Sequence, residues 1–114
     1  MSELQVTARF TIHDGQLDAF KSLAEACMAS VREKDTDTLQ YDWFLDPDGT
    51  ECVVREKYAS SEAVLAHIGN LGELLGQLIE TADMSLEVFG DPSPELAEAS
   101  AGLNPKVFGL FQTI

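Results

Sequence analysis

Basic residues are scarce. Seven Lys and Arg stand against twenty Asp and Glu in 114 residues, a formal net charge of −13. A surface of that sign repels phosphate backbones and anionic headgroups, which argues against nucleic acid or a membrane surface as partner. Only two cysteines occur, Cys27 and Cys52. With no CxxC pair and no histidine near them in sequence, both read as buried free thiols rather than as a disulfide or zinc ligands. No stretch of eighteen apolar residues is present, and Met1 to Val6 has no basic region leading into an apolar run, so a soluble cytoplasmic protein is expected. The chain also lacks a GxGxxG after a strand and a P-loop, and its two histidines, His13 and His67, lie far apart.

What remains is ordinary for a folded chain: 45% hydrophobic and 24% charged residues, at a length that suits one core. One domain over residues 1–114 is expected, with a core at about 4–90 and a C-terminal extension at 91–114. Leu4, Val6, Ala8, Phe10 and Ile12 alternate with polar residues and predict a first strand. Leu17, Phe20, Ala24, Cys27 and Val31 recur at three and four, predicting an amphipathic helix with Asp14 as its N-cap. Arg32 to Asp35 and the Thr/Asp cluster beyond them read as a solvated connection.

Leu39 to Leu45 and Cys52 to Tyr58 flank Asp46-Pro47-Asp48-Gly49-Thr50 and predict a hairpin. Ser60 or Ser61 caps a helix that turns Ala63, Val64, His67 and Ile68 inward, with a break expected at Gly69-Asn70. Leu71 to Ile79 resumes helical spacing, and Met84, Leu86 and Val88 mark a fourth strand. Ser93-Pro94-Glu95 opens a short helix, and Val107 to Phe111 is apolar enough for a last strand that closes an edge. Right-handed crossovers then give an α+β, ferredoxin-like split βαβ sandwich. Its open sheet face calls for a two-fold partner, a homodimer packed sheet to sheet.

The segment Glu56-Lys57-Tyr58-Ala59-Ser60-Ser61-Glu62-Ala63 through His67 resembles the antibiotic biosynthesis monooxygenase family of the dimeric α+β barrel superfamily. Members carry Glu-x-aromatic at the end of the third strand, a Ser-x-Glu-Ala helix start, then a histidine. Leu39 to Trp43 and the Asp-Gly hairpin fit the second strand of that family. The resemblance covers roughly residues 4 to 90. It implies an oxygenase needing no flavin or metal, because a deprotonated quinol or anthrone reduces molecular oxygen directly. The haem-degrading branch carries an Asn on the first strand and a Trp after the third. Here the first strand offers Thr7, Arg9 and Thr11 and the third ends in Tyr58, which disfavours haem.

Five further side chains join His67 in the expected site. His67 is the expected catalytic base or proton relay; the alternative is a half-buried structural histidine satisfied by a backbone carbonyl. Tyr41, Trp43 and Tyr58 are expected to wall a flat aromatic ligand, or else to serve the core or the dimer interface. Glu56 shares a face with Cys52, Val54 and Tyr58, so burial should raise its pKa unless Arg9 or Arg55 pairs with it; it either binds substrate or ties the strand structurally. Asn70 either donates to a ligand oxygen or caps a helix. An iron site from His13, His67 and Glu56 is a formal alternative, and His13 itself reads as solvated. The expected function is a cofactor-independent monooxygenase of a phenolic, quinol or polyketide-like aromatic. The alternative is a non-catalytic small-molecule binder or interaction module on the same dimeric fold.

Overall fold

The computed structural model describes residues 3–114. Strand β1 (Leu4–Ile12) is followed by helix α1 (Leu17–Lys34), strands β2 (Thr38–Leu45) and β3 (Glu51–Tyr58), helices α2 (Ser61–Leu71) and α3 (Glu73–Thr81), and strand β4 (Ala82–Phe89). Helix α4 (Pro94–Ser100), a 3₁₀ turn (Ala101–Leu103) and strand β5 (Lys106–Phe108) complete it. The sheet order is β2-β3-β1-β4-β5. The first four strands are antiparallel, which is the split βαβ topology expected, and β5 adds in parallel to β4.

The alternating residues of β1 bury Val6, Ala8, Phe10 and Ile12 against the helices. Phe10 meets Phe20 of α1 edge to face at 5.3 Å and stacks on Trp43 of β2 at 6.1 Å. Cys27 and Cys52 are buried and free. On the opposite sheet face Phe44, paired across the strands with Val53, and Phe89 and Phe108 remain exposed, the last two stacked at 5.3 Å. No helix among the described residues is long and apolar enough to cross a membrane.

Three local expectations need correction. Helix α1 begins at Leu17 with Gln16 as N-cap and no side-chain cap bond. Gly15, at φ +78°, turns the chain between Asp14 and the helix, out of capping reach. Helix α2 runs through Gly69-Asn70, where Ser30 Oγ donates to the Asn70 carbonyl (3.1 Å), and the break falls at Gly72, whose φ of +55° suits glycine. The last strand ends at Phe108, because the pairing that β4 offers it ends at Phe89. Beyond it Leu110 and Phe111 are exposed. The caps at Ser60 and Ser93 match expectation, accepting from the backbone N–H groups of Ala63 and Leu96.

Candidate active site

A cavity of about 390 Å³ lies between the sheet and helices α2 and α3. The inward residues of β1, β3 and β4 make its floor, with Val6, Val54 and Leu86 typical. Val64, His67 and Leu71, at helical spacing on α2, make its roof. The C-terminal extension supplies a further wall through Leu96, Leu103 and Val107. The wall is apolar save for Tyr41, Glu56 and His67, and Ser100 and Asn104 of the extension. Among the described residues that line it there is no lysine or arginine.

His67 is held by a residue that the polar run after α1 concealed. Asp35 is the C-cap of α1, its N–H donating to the Val31 carbonyl (3.1 Å), and its extended backbone turns the carboxylate inward. There it accepts from Thr38 Oγ1 (2.6 Å), from Asn70 Nδ2 (2.9 Å) and from His67 Nδ1 (2.9 Å). The His67 and Asp35 side chains are only 6% and 3% exposed, so the connection expected to be solvated is buried at Asp35. Burial pushes the Asp35 carboxyl upward, but the bonds from Thr38, Asn70 and His67 outweigh it and hold the pKa below the ordinary value. Burial lowers the pKa of His67, and Asp35 offsets this only in part. The net effect favours the neutral ring. A carboxylate only accepts, so Nδ1 carries the proton and Nε2 keeps its lone pair.

Glu56 stands opposite Tyr41 on β2 and Val6 on β1, on the cavity floor. Neither arginine pairs with it: Arg9 lies 3.7 Å from Glu87 instead, and the bond to the Glu56 carboxyl comes from the hydroxyl of Tyr58. Burial pushes the Glu56 carboxyl up to about 7, against the smaller opposing effect of that bond. Tyr58 itself is fully buried, its ring 5.2 Å from that of His67, and the Tyr41 ring meets His67 edge-on at 5.0 Å. Burial, and next the Glu56 carboxylate, raises the pKa of both tyrosines, so both stay phenols.

Of the six expected site residues, the structure brings His67, Tyr41, Trp43 and Glu56 together on the cavity wall. Tyr58 and Asn70 are not on it. Tyr58 supports Glu56 from behind, and Asn70 supports Asp35. Trp43 packs edge to face with Tyr41 at 5.6 Å, and its Nε1 is the one buried polar side-chain atom without a partner among the described residues. His13 is exposed and bonds Asp83 at 2.9 Å, and no group of three His, Cys, Asp or Glu among the described residues is arranged to hold a metal ion. The iron alternative is thus not formed. Sequence reasoning missed Asp35 and the wall supplied by the extension. The Asp-x-x-Thr spacing at Asp35 and Thr38 was the available signal for the first.

Several proteins of known structure share this fold over most of the chain. The MupZ protein of Pseudomonas fluorescens superposes with a TM-score of 0.87 at 24% identity, over 100% of this chain and 94% of its own. Rv0793 of Mycobacterium tuberculosis gives 0.70 at 26%, covering 81% and 97%. SnoaB of Streptomyces nogalater, a cofactor-independent oxygenase, gives 0.67 at 16%, covering 82% and 96%. No match is found among curated proteins. The family model for antibiotic biosynthesis monooxygenase matches residues 4–70, from β1 through the helix that carries His67 and Asn70. With more than half the chain matched and this fold around the cavity, the chain belongs to the antibiotic biosynthesis monooxygenase family.

Proposed function

We propose that the chain is a cofactor-independent monooxygenase acting on a neutral phenolic, quinol or polyketide-like aromatic. The observation that carries this reading is His67 on an apolar cavity wall, its Nδ1 bonded to the buried Asp35 carboxylate. A phenol or anthrone in the cavity presents an acidic hydrogen to Nε2. Once that proton is taken, the electron-rich anion reduces molecular oxygen, and a carbon–oxygen bond forms. For an anthrone methylene one oxygen atom becomes the new carbonyl, and the other leaves as water with the two hydrogens. The protein's part is to bind, orient and deprotonate, and to exclude water while the anion persists. Tyr41 and Trp43 are the binding walls in this reading. Tyr58 and Asn70 act one layer behind, through Glu56 and Asp35.

Oxygen uptake with a panel of reduced quinols and anthrones tests it. The purified protein should exceed the uncatalysed rate, and His67→Ala should lower the gain by on the order of 10²-fold or more. Uptake that never exceeds the background would leave the chain a non-catalytic binder.

We assign the exposed sheet face to a homodimer. Phe44, Phe89 and Phe108 lie on that face without cover, and Leu110 and Phe111 follow from its edge. Light scattering at micromolar concentration should report twice the chain mass. A monomer would rule out the sheet-to-sheet arrangement.

A further inference from the structure

We infer that Glu56 is a second catalytic group lining the same cavity as His67, and that the pair enolises an uncharged ketone without oxygen. This rests on the proposed role of His67 as base, and goes beyond it in needing no oxidant.

The cavity holds no fixed positive charge with which to meet an anion. Enolisation moves the electron pair of a C–H bond into a C=C bond and places negative charge on the former carbonyl oxygen. In an apolar enclosure that charge is costly unless a donor meets it. No lysine or arginine lines the cavity among the described residues. For the same reason a ligand that brings its own carboxylate or phosphate has no counter-charge there, and the ligand is neutral.

Two acidic hydrogens are available on the inner wall, the Tyr41 hydroxyl and a protonated Glu56. The phenol is made less acidic by its burial. Glu56 has one oxygen engaged by Tyr58, while its carboxyl lies on the cavity floor. His67 is on the roof, and the Tyr58 ring stands beside it while its hydroxyl holds Glu56. Both side chains line the one cavity, so a ketone held there has a base and an acid on its walls. His67 Nε2 takes the carbon-bound proton, and the carbonyl oxygen takes the proton of Glu56. Reversal returns both protons, and solvent exchange at the imidazolium in between replaces hydrogen by deuterium.

The groups around Glu56 leave it free to act near neutral pH. Tyr58 and Tyr41 stay protonated, and burial pushes the Cys27 thiol of α1 up to about 11. His67 is neutral on the roof, with the Asp35 carboxylate behind it.

The test is deuterium uptake by the methylene of anthrone in strictly anaerobic D₂O buffer, followed by proton NMR. The intact protein should accelerate exchange at least about tenfold over buffer. Glu56→Gln and His67→Ala should each remove most of the gain, and a carboxylate-bearing anthrone should not be accelerated. In the wild type the rate should fall as pH rises through about 7, where Glu56 ionises, and this limb should vanish in Glu56→Gln. No acceleration by the wild type, or a Glu56→Gln variant with the wild-type rate and pH limb, would overturn the inference. Oxygen uptake on the same preparation separates the two readings. Exchange without uptake removes the oxygenase alone, and uptake and exchange that both survive in Glu56→Gln remove the role of Glu56 alone.

Discussion

Asp35→Asn should lower the turnover number of any accepted quinol or anthrone by about 10²- to 10⁴-fold while leaving KM nearly unchanged. The carboxylate is not part of the cavity wall, so uniform binding of substrate does not depend on it. What it fixes is a proton. As a charged acceptor of three hydrogen bonds it requires Nδ1 of His67 to be the protonated nitrogen, which leaves the Nε2 lone pair for the substrate. Thr38 and His67 share one carboxylate oxygen, Oδ2, and Asn70 donates to the other. In asparagine the amide oxygen that keeps the Asn70 bond leaves the NH₂ at the Oδ2 position, where it donates to Nδ1 and reverses the tautomer. Steady-state kinetics with both parameters resolved checks this. A proportionate loss through KM, or no loss at all, would make Asp35 a structural residue only.

Glu56→Gln should raise the stability of the fold at pH 8 by about 3 kcal/mol relative to its effect at pH 4. The folded carboxyl titrates at about 7 and the ordinary one at 4.5. Below 4.5 it is protonated in both folded and unfolded chains, and no charge has to be buried. As pH rises through 7 the folded state must carry a buried charge, so this share of stability is present in acid and lost on the alkaline side. The amide does not titrate, yet it can still accept from Tyr58. For a chain of this size the change corresponds to roughly 10 °C in Tm between the two pH values, wild type against variant. Thermal melts that show the same difference at pH 4 and pH 8 would mean that Glu56 is solvated.

Much of this architecture was legible in the residues because it is local. The period of two in Leu4 to Ile12 sets the core face of β1, and the Asp46 to Thr50 turn fixes the hairpin that brings Tyr41 opposite Glu56. His67 could be placed inward because Val64 and Leu71 share its helical face. Glu56 was visible as a carboxylate out of pattern on an apolar face. Asp35 was not, since in sequence it sits among Arg32, Glu33, Lys34 and Asp37, and only the fold shows that it alone turns inward. Its partners lie 32 and 35 residues away on α2, a separation that no spacing rule covers. The roles of Tyr58 and Asn70 were blurred for a related reason. Periodicity gives the face of an element but not which layer on that face reaches the cavity. The extension was expected to close an edge, and β5 does so, but the wall it builds with Leu96 and Leu103 depends on how α4 folds back over α2.

The proposed chemistry requires that His67 present an unprotonated Nε2 to an apolar cavity because Asp35 holds the proton on Nδ1. Nitrogen-15 NMR of the imidazole across a pH titration measures it directly. The expected result is a neutral ring protonated at Nδ1 at pH 7, a pKa below 6.5, and a reversed tautomer in Asp35→Asn. A ring protonated at Nε2 at pH 7, or an imidazolium persisting above that pH, would contradict it.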